Sequence, residues 1–160
     1  MTIRPIRELG DPVLRTPADE VKDFDRELAA LVRDLEETVD HPGRAGLAAP
    51  QIGVSARVFS YNIDGEIGHL VNPTIVELSD ETQGGDEGCL SVPGIWAPTV
   101  RAMHCVVEGF DVHGEPLRLT GSGLMARCLQ HEVDHLDGKV FLDRLTGDAR
   151  KQALRALRSR

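Results

Sequence analysis

The sequence has only three cysteines among its 160 residues, and it has no long apolar run. Cys89, Cys105 and Cys128 are too few and too far apart for a disulfide framework, so each is expected to be a free thiol or a metal ligand. No segment approaches the roughly 20 apolar residues of a membrane-spanning helix, and the N-terminus has no signal-peptide pattern. These absences predict a cytoplasmic protein without a membrane segment.

Positive charge is also scarce, because the formal net charge is −8. A general nucleic-acid surface needs clustered Lys and Arg, so we expect no DNA binding. The exception is the basic segment 144–160, which has a local charge of +5. Its charged residues are Arg144, Asp148, Arg150, Lys151, Arg155, Arg158 and Arg160.

The length and the 41% hydrophobic content predict a single domain spanning 1–160 with a packed core. Apolar residues recur at helical spacing over 25–39, with Asp23 or Asp25 available as a cap. Strand-forming runs at 54–62 and 67–78 flank an Asp64-Gly65 hairpin signal, which predicts antiparallel pairing.

In the second half of the chain, strands are predicted first and helices follow. The acidic, glycine-rich stretch 79–88 has no periodicity and predicts a loop. A second hairpin is expected from 103–112 and 117–120. A helix capped by Ser122 should then run to Asp137, and a basic amphipathic helix should occupy 148–157. Since helices and strands do not alternate as in parallel units, the fold class is α+β.

His131-Glu132-Val133-Asp134-His135 lies inside the second predicted helix. Residues four apart share a helical face, so His131 and His135 can direct both imidazoles at one ion. Glu132 lies about 100° round the helix and can flank the ion instead of binding it. The spacing indicates a metal site with a carboxylate beside the bound water.

Two other stretches supply groups for such a site. Glu87-Gly88-Cys89 places a thiol before a strand-like run, which makes Cys89 a coherent third ligand with a fourth position left for water. Gly46 to Gln51 places an amide after small residues that do not crowd a ligand.

With these residues in view, the chain resembles the bacterial-type peptide deformylase family. The three signatures appear in order as GLAAPQ at Gly46 to Gln51, EGCLS at Glu87 to Ser91 and QHEVDH at Gln130 to His135. The resemblance implies antiparallel sheets around a central metal-binding helix, with N-terminal and C-terminal helices. It also implies removal of the N-formyl group from the initiator methionine of nascent peptides.

The resemblance further implies roles for individual residues. Cys89, His131 and His135 would hold Fe²⁺, for which Zn²⁺, Ni²⁺ or Co²⁺ substitute. Glu132 would transfer the proton, since it stands where a general acid–base is needed. The Gln51 amide and the Leu90 backbone N–H would face the oxyanion.

Three neighbours complete the expected cavity. Gly46 leaves room for substrate, and Leu124 and Arg127 precede His131 by seven and four residues on its helical face. We expect Leu124 to give an apolar wall for methionine and Arg127 to send its guanidinium to solvent. Arg44 replaces a usual glycine of the first signature and is expected near the substrate entrance. Arg101 occupies the place where the family has an ion-pairing arginine, so the resemblance implies a pair with Glu87; an exposed pair would add at most about 1 kcal/mol.

Two other functions remain open from the sequence. A zinc metalloprotease shares the helix motif, but Phe141 stands where one class needs a ligand, and no glutamate follows Glu132 to serve another class. A structural or storage site would close its coordination shell with a fourth side chain. The basic C-terminal helix has two interpretations of equal weight, either a solvated surface or a ribosome contact through rRNA phosphates.

Overall fold

Three α-helices and nine strands make up the part of the chain that the computed structural model describes, residues 3–159. Short 3-10 helices at Pro12–Arg15, Ala49–Ile52 and Phe141–Arg144 join some of them. In chain order the helices and strands are α1 (Arg26–Val39), β1 (Gly46–Ala48), β2 (Val58–Ile63), β3 (Glu66–Leu78), β4 (Thr82–Gln83), β5 (Asp86–Cys89), β6 (Val92–Pro98), β7 (Arg101–Ala102), β8 (His104–Phe110), β9 (Pro116–Ser122), α2 (Leu124–Leu136) and α3 (Gly147–Arg158).

The strands form one large antiparallel sheet and two small ones, so the α+β class is confirmed. The five-stranded sheet has the order β1-β2-β3-β8-β9, and β4 pairs with β7 while β5 pairs with β6. The hairpin between β2 and β3 turns at Asp64 and Gly65, both of which have positive φ (53° and 81°). This is the backbone that the two-residue turn signal predicts.

Alternation along the strands gives the sheet two apolar faces. Val58 and Val71 are register partners and pack with α1, where Leu35 is fully buried. The next pair, Phe59 and Leu70, faces the opposite way and packs with Leu129 of α2. The sheet is therefore enclosed by α1 on one side and α2 on the other.

Helix α1 begins as predicted, because the Asp25 side chain accepts a hydrogen bond from the Leu28 backbone N–H at 3.0 Å. The start predicted for α2 is wrong. Ser122 belongs to β9, where its hydroxyl oxygen lies 2.7 Å from His104 Nδ1, and Gly123 is the N-cap. Strand pairing with His104 competes successfully with capping at this position.

The loop predicted over 79–88 is also wrong in part. It contains β4 and most of β5, whose partners β7 and β6 lie later in the chain. Short strands of polar and acidic residues lack the apolar alternation by which a strand is predicted from sequence, so β4 and β5 are recognised only by their hydrogen-bonded partners. The β5–β6 hairpin then packs on α3 through a third cluster that includes Ile95, Phe141 and Ala153.

Candidate metal centre and active-site cavity

Cys89, His131 and His135 meet at one point although 42 residues separate the thiol from the first imidazole. Cys89 ends β5, and the two histidines lie one turn apart on α2. One ligand atom from each lies within 4.8 Å of the others, and Cys89 Sγ is 3.2 Å from His135 Nε2. The fold thus brings together the sulfur and two nitrogens that the spacing suggested.

The donor set fits a divalent ion. Burial alone raises the pKa of the Cys89 thiol, but the positive field and hydrogen bonds of the two imidazoles hold that pKa well below its usual value. Thiolate and imidazole together suit Zn²⁺ and iron. Among the buried side-chain polar atoms of residues 3–159, two lack a hydrogen-bond partner, and both belong here: Glu132 Oε1 and His135 Nδ1. A buried carboxylate oxygen without a hydrogen-bond partner, close to one sulfur and two imidazole nitrogens, fits a site that binds a metal ion with its water.

A buried carboxylate orients the first imidazole. Glu87 Oε2 lies 2.5 Å from His131 Nδ1. When Nδ1 donates to the carboxylate, Nε2 is left free for an ion. Hydrogen bonds from His131 and Arg101 outweigh burial and hold the pKa of Glu87 well below its usual range. Glu87 therefore stays ionised and keeps the ring in this orientation.

Glu87 and Arg101 form the implied ion pair, and the pair is buried. Their side chains are 4% and 3% exposed, and Arg101 binds the carboxylate in a bidentate manner at 2.6 and 3.0 Å. Arg101 also donates to Asp134 Oδ2 at 2.7 Å, and Arg144 donates to Asp134 Oδ1 at 2.6 Å. The value for an exposed pair therefore does not apply here, because burial removes the solvent screening on which that value rests.

The prediction for the Arg127 head group is wrong as well. The guanidinium is turned inward and donates to Glu87 Oε1 at 2.7 Å, to Thr99 O at 3.0 Å and to Gly84 O at 2.8 Å. Its carboxylate partner lies 40 residues earlier in the chain, which is why helical spacing did not reveal it. Arg127 thus ties α2 to the segment that holds Cys89.

Glu132 is enclosed between α2 and β1. Burial raises the pKa of its carboxyl to about 7. A Cβ at Gly46 would lie 2.5 Å from Glu132 Oε2 and 2.9 Å from Cys128 Sγ, so any side chain there would displace Glu132 and Cys128. Cys128 lies outside the ligand group and donates to the Ala45 carbonyl at 3.4 Å.

The Gln51 side-chain amide is oriented by a hydrogen bond from the backbone three residues earlier. Oε1 accepts from the Ala48 backbone N–H at 2.9 Å, so Nε2 faces the ligand group, 3.6 Å from Cys89 Sγ and 3.1 Å from Ser91 Oγ. Leu90 follows Cys89 directly and lines the same cavity. Gln51 Nε2 therefore borders the candidate metal centre, and Leu90 lies next to it on the cavity wall.

Cys89, His131 and Glu132 line one cavity of about 410 Å³ together with Gln51 and Leu90, whereas His135 is fully buried behind it. Gly46, Leu124 and Arg127 all contribute to its wall, as expected, and Leu124 is 55% exposed at the mouth. Arg44 lies between Gly43 and Ala45, which line the cavity, but its own side chain turns away from the lining, and its Nη1 donates to Thr38 O at the end of α1, 2.6 Å away. The carbonyls at a helix C-terminus attract this cation.

Sequence reasoning missed three contributors to this region. Asp134 and Arg144 extend the buried ion network, and Trp96 stands 69% exposed on the cavity wall. Asp134 belongs to the histidine motif, but nothing in the motif indicates its partners. The exposed positions of β6 alternate with buried Ile95 and Ala97, and this is the one local signal that places Trp96 on the outer face.

Comparisons with known proteins agree with this geometry. The family model described as polypeptide deformylase matches residues 3–151. A peptide deformylase of Acidothermus cellulolyticus is 60% identical over 158 residues, covering 99% of this chain and 87% of that protein. Peptide deformylase 1 of Corynebacterium efficiens is 48% identical over 163 residues, covering 99% and 96%. The crystal structure of a Legionella pneumophila peptide deformylase superposes with a TM-score of 0.90 at 43% identity, covering 99% and 95%.

Proposed function

The chain belongs to the polypeptide deformylase family, metal-dependent hydrolases that remove the N-formyl group from nascent polypeptides, and from that membership we propose which residues perform the reaction. Family membership decides against the metalloprotease and metal-storage alternatives. The observation that carries the residue assignment is the Cys89, His131 and His135 group with an unpartnered Glu132 oxygen beside it. We propose that residues 1–160 act as one deformylase domain.

Cys89, His131 and His135 are proposed to hold one ion, with Fe²⁺ as the ion in the cell and Zn²⁺, Ni²⁺ or Co²⁺ as substitutes. A thiolate and two imidazoles suit several of these ions, so the preference for iron rests on the family resemblance. When bound, a divalent ion lowers the pKa of coordinated water and polarises a carbonyl. Glu87 holds the His131 ring with Nε2 free for this purpose.

Glu132 takes the proton of the attacking water and returns it to the departing amine. Its Oε1 is buried and has no hydrogen-bond partner, so the oxygen is free to accept. The Gln51 amide N–H and the Leu90 backbone N–H stabilise the negative charge on the formyl oxygen. Gly46, Leu124 and Arg127 form the wall of the cavity that receives methionine.

The wild-type chain should release formate from formyl-Met-Ala-Ser when it is loaded with Ni²⁺ or kept anaerobic with Fe²⁺. We expect kcat/KM of about 10⁴ M⁻¹s⁻¹ or more, the usual lower range for an enzyme on its own substrate. Formate is measured by a coupled dehydrogenase, and casein cleavage under the same conditions serves as the protease control. Casein cleavage without formate release would refute the function.

We also propose a ribosome contact through α3. Arg150, Lys151, Arg155 and Arg158 are exposed, whereas Ala153 is buried in the third core cluster. Arg144 is committed to Asp134, so it does not join this surface, and Arg160 lies outside the described residues. Because α3 packs on β6, removing the helix would disturb the cavity wall, and charge reversal is the cleaner change.

The Lys151→Glu/Arg155→Glu variant should lose most co-sedimentation with ribosomes at low salt, since each cation neutralises a phosphate. Arg26→Glu/Arg33→Glu makes the same charge change on α1, at two exposed positions, and should retain binding. Raising the salt should release the wild type. Equal binding by both variants would reject the contact.

No helix within residues 3–159 is long and apolar enough to cross a membrane. We propose a cytoplasmic location, where nascent formyl-methionyl peptides are available. The net charge of −8 favours peptide substrates over DNA as partners.

A further inference from the structure

Trp96 is the one tryptophan of the chain and its most exposed large apolar side chain among residues 3–159. It lies on β6, the register partner of the strand that ends in Cys89. The side chain is 69% exposed, yet it lines the active-site cavity. Leu124, 55% exposed, lines the same cavity, and exposed apolar side chains that share the wall of a groove mark a ligand contact.

The ring is seated on Gly88. A Cβ at Gly88 would lie 2.7 Å from Cε3 and 2.8 Å from Cδ2 of Trp96, so the six-membered ring packs directly on the glycine backbone. Any other residue at position 88 would displace the ring. One part of the indole is thereby held by the hairpin while most of its surface stays open. The packing on Gly88 fixes the position of the Trp96 indole, and we call this exposed ring the platform.

Two neighbouring side chains add a negative charge and an apolar surface to the platform. Asp86 is exposed, lines the cavity and pairs with Pro98, which lies two residues after Trp96 on the exposed face of β6. Leu124, 55% exposed, contributes an apolar surface to the same cavity. The inner part of the cavity is occupied by the metal-site groups, so these three side chains belong to its outer part.

We propose that Trp96 is a specificity-determining residue that binds the side chain of the second or third residue of the substrate peptide. This inference rests on the proposed function, in which formyl-methionine occupies the inner cavity and the following residues leave through the mouth. The platform favours long side chains with apolar stems over alanine. It favours lysine or arginine over glutamate, since the indole face and the Asp86 carboxylate both attract a cation.

The first test compares formate release from two peptide series, formyl-Met-Xaa-Ser and formyl-Met-Ala-Xaa, with Xaa as Ala, Leu, Lys or Glu. In at least one series the wild type should show kcat/KM about fivefold higher for Leu and Lys than for Ala, and lower still for Glu. Trp96→Ala should reduce these ratios to within about twofold of unity through KM, whereas Trp96→Phe should preserve most of the preference.

Val100→Ala is the matched control. Val100 is 65% exposed and lies four residues away, outside the cavity lining, so its variant should keep the wild-type ratios. Circular dichroism and Tm check that each variant is folded. Unchanged ratios in Trp96→Ala, equal loss in Val100→Ala, or no preference in the wild type would each overturn the proposal. Absence of formate release from every peptide would instead refute the proposed function.

The second test uses Trp96 itself as the probe. Because the chain has no other tryptophan, its fluorescence reports the platform alone. Adding formyl-Met-Leu-Ser and formyl-Met-Ala-Leu to the slow Glu132→Gln variant should shift the emission to shorter wavelength, and formyl-Met-Ala-Ser should shift it less. Saturation by all three peptides, monitored by calorimetry, without any emission change would overturn the proposal.

Discussion

Replacing Glu132 with glutamine is expected to lower kcat for formyl-Met-Ala-Ser by a factor of about 10² to 10⁴, with the metal still bound. Glutamine has nearly the same shape as glutamate, so packing against Gly46 and Cys128 is kept. The amide cannot take and return the proton, however. Cys89, His131 and His135 are unchanged, and the ion they hold should stay at one per chain.

Turnover is measured as formate release, and metal content by atomic absorption on the dialysed protein. The visible spectrum of the Co²⁺ form provides a second check on the ligand set. Glu66→Gln, an exposed change on β3, is the control and should match the wild type in both measurements. A Glu132→Gln protein that keeps more than a tenth of wild-type kcat, or that loses its metal, would contradict the assigned role.

Arg101→Met should be strongly destabilising, by about 3 to 5 kcal/mol. Arg101 is 3% exposed and lies between two carboxylates that are 4% and 6% exposed, Glu87 and Asp134. Methionine keeps much of the volume but leaves both buried anions short of a cation. Arg127 and Arg144 still contact them, so the loss should lie towards the lower end of this range.

Urea denaturation of the metal-loaded protein gives the change in unfolding free energy, and Tm should fall by about 6 to 20 °C. Arg118→Met is the matched control, because Arg118 pairs with Glu108 at 2.8 Å with side chains 57% and 49% exposed. Solvent screens that pair, so its loss should cost at most about 1 kcal/mol. Similar losses for both variants would mean that burial of the Arg101 network has no energetic consequence.

Local patterns predicted most of the framework. The helical repeat of Leu28, Val32 and Leu35 located α1 to within a residue, because all three face the sheet once per turn. The Asp64-Gly65 turn located the β2–β3 hairpin, because few residues adopt positive φ at two successive positions. The four-residue spacing of His131 and His135 predicted that both side chains point in the same direction, because residues four apart lie on one face of a helix.

Patterns failed where two distant segments decide the outcome. Ser122 has a hydroxyl that could cap α2, but in the structure it belongs to β9 and pairs with His104 of β8. The segment 79–88 reads as a loop until β6 and β7 supply its partners. Arg127 lies on the predicted face of α2, yet its inward direction depends on Glu87, Thr99 and Gly84, which nothing within one helical turn reveals.

The sequence by itself determined the class of fold and the family, and it predicted three groups of candidate site residues, since each depends on spacings of a few residues. Only the tertiary structure decided that Glu87 and Arg101 are buried, that Arg144 forms an ion pair with Asp134 of α2, and that Trp96 is exposed on the cavity wall. The physical reason is that the exposure of a side chain, and therefore the strength of its charge interactions and its access to substrate, depends on segments far away along the chain.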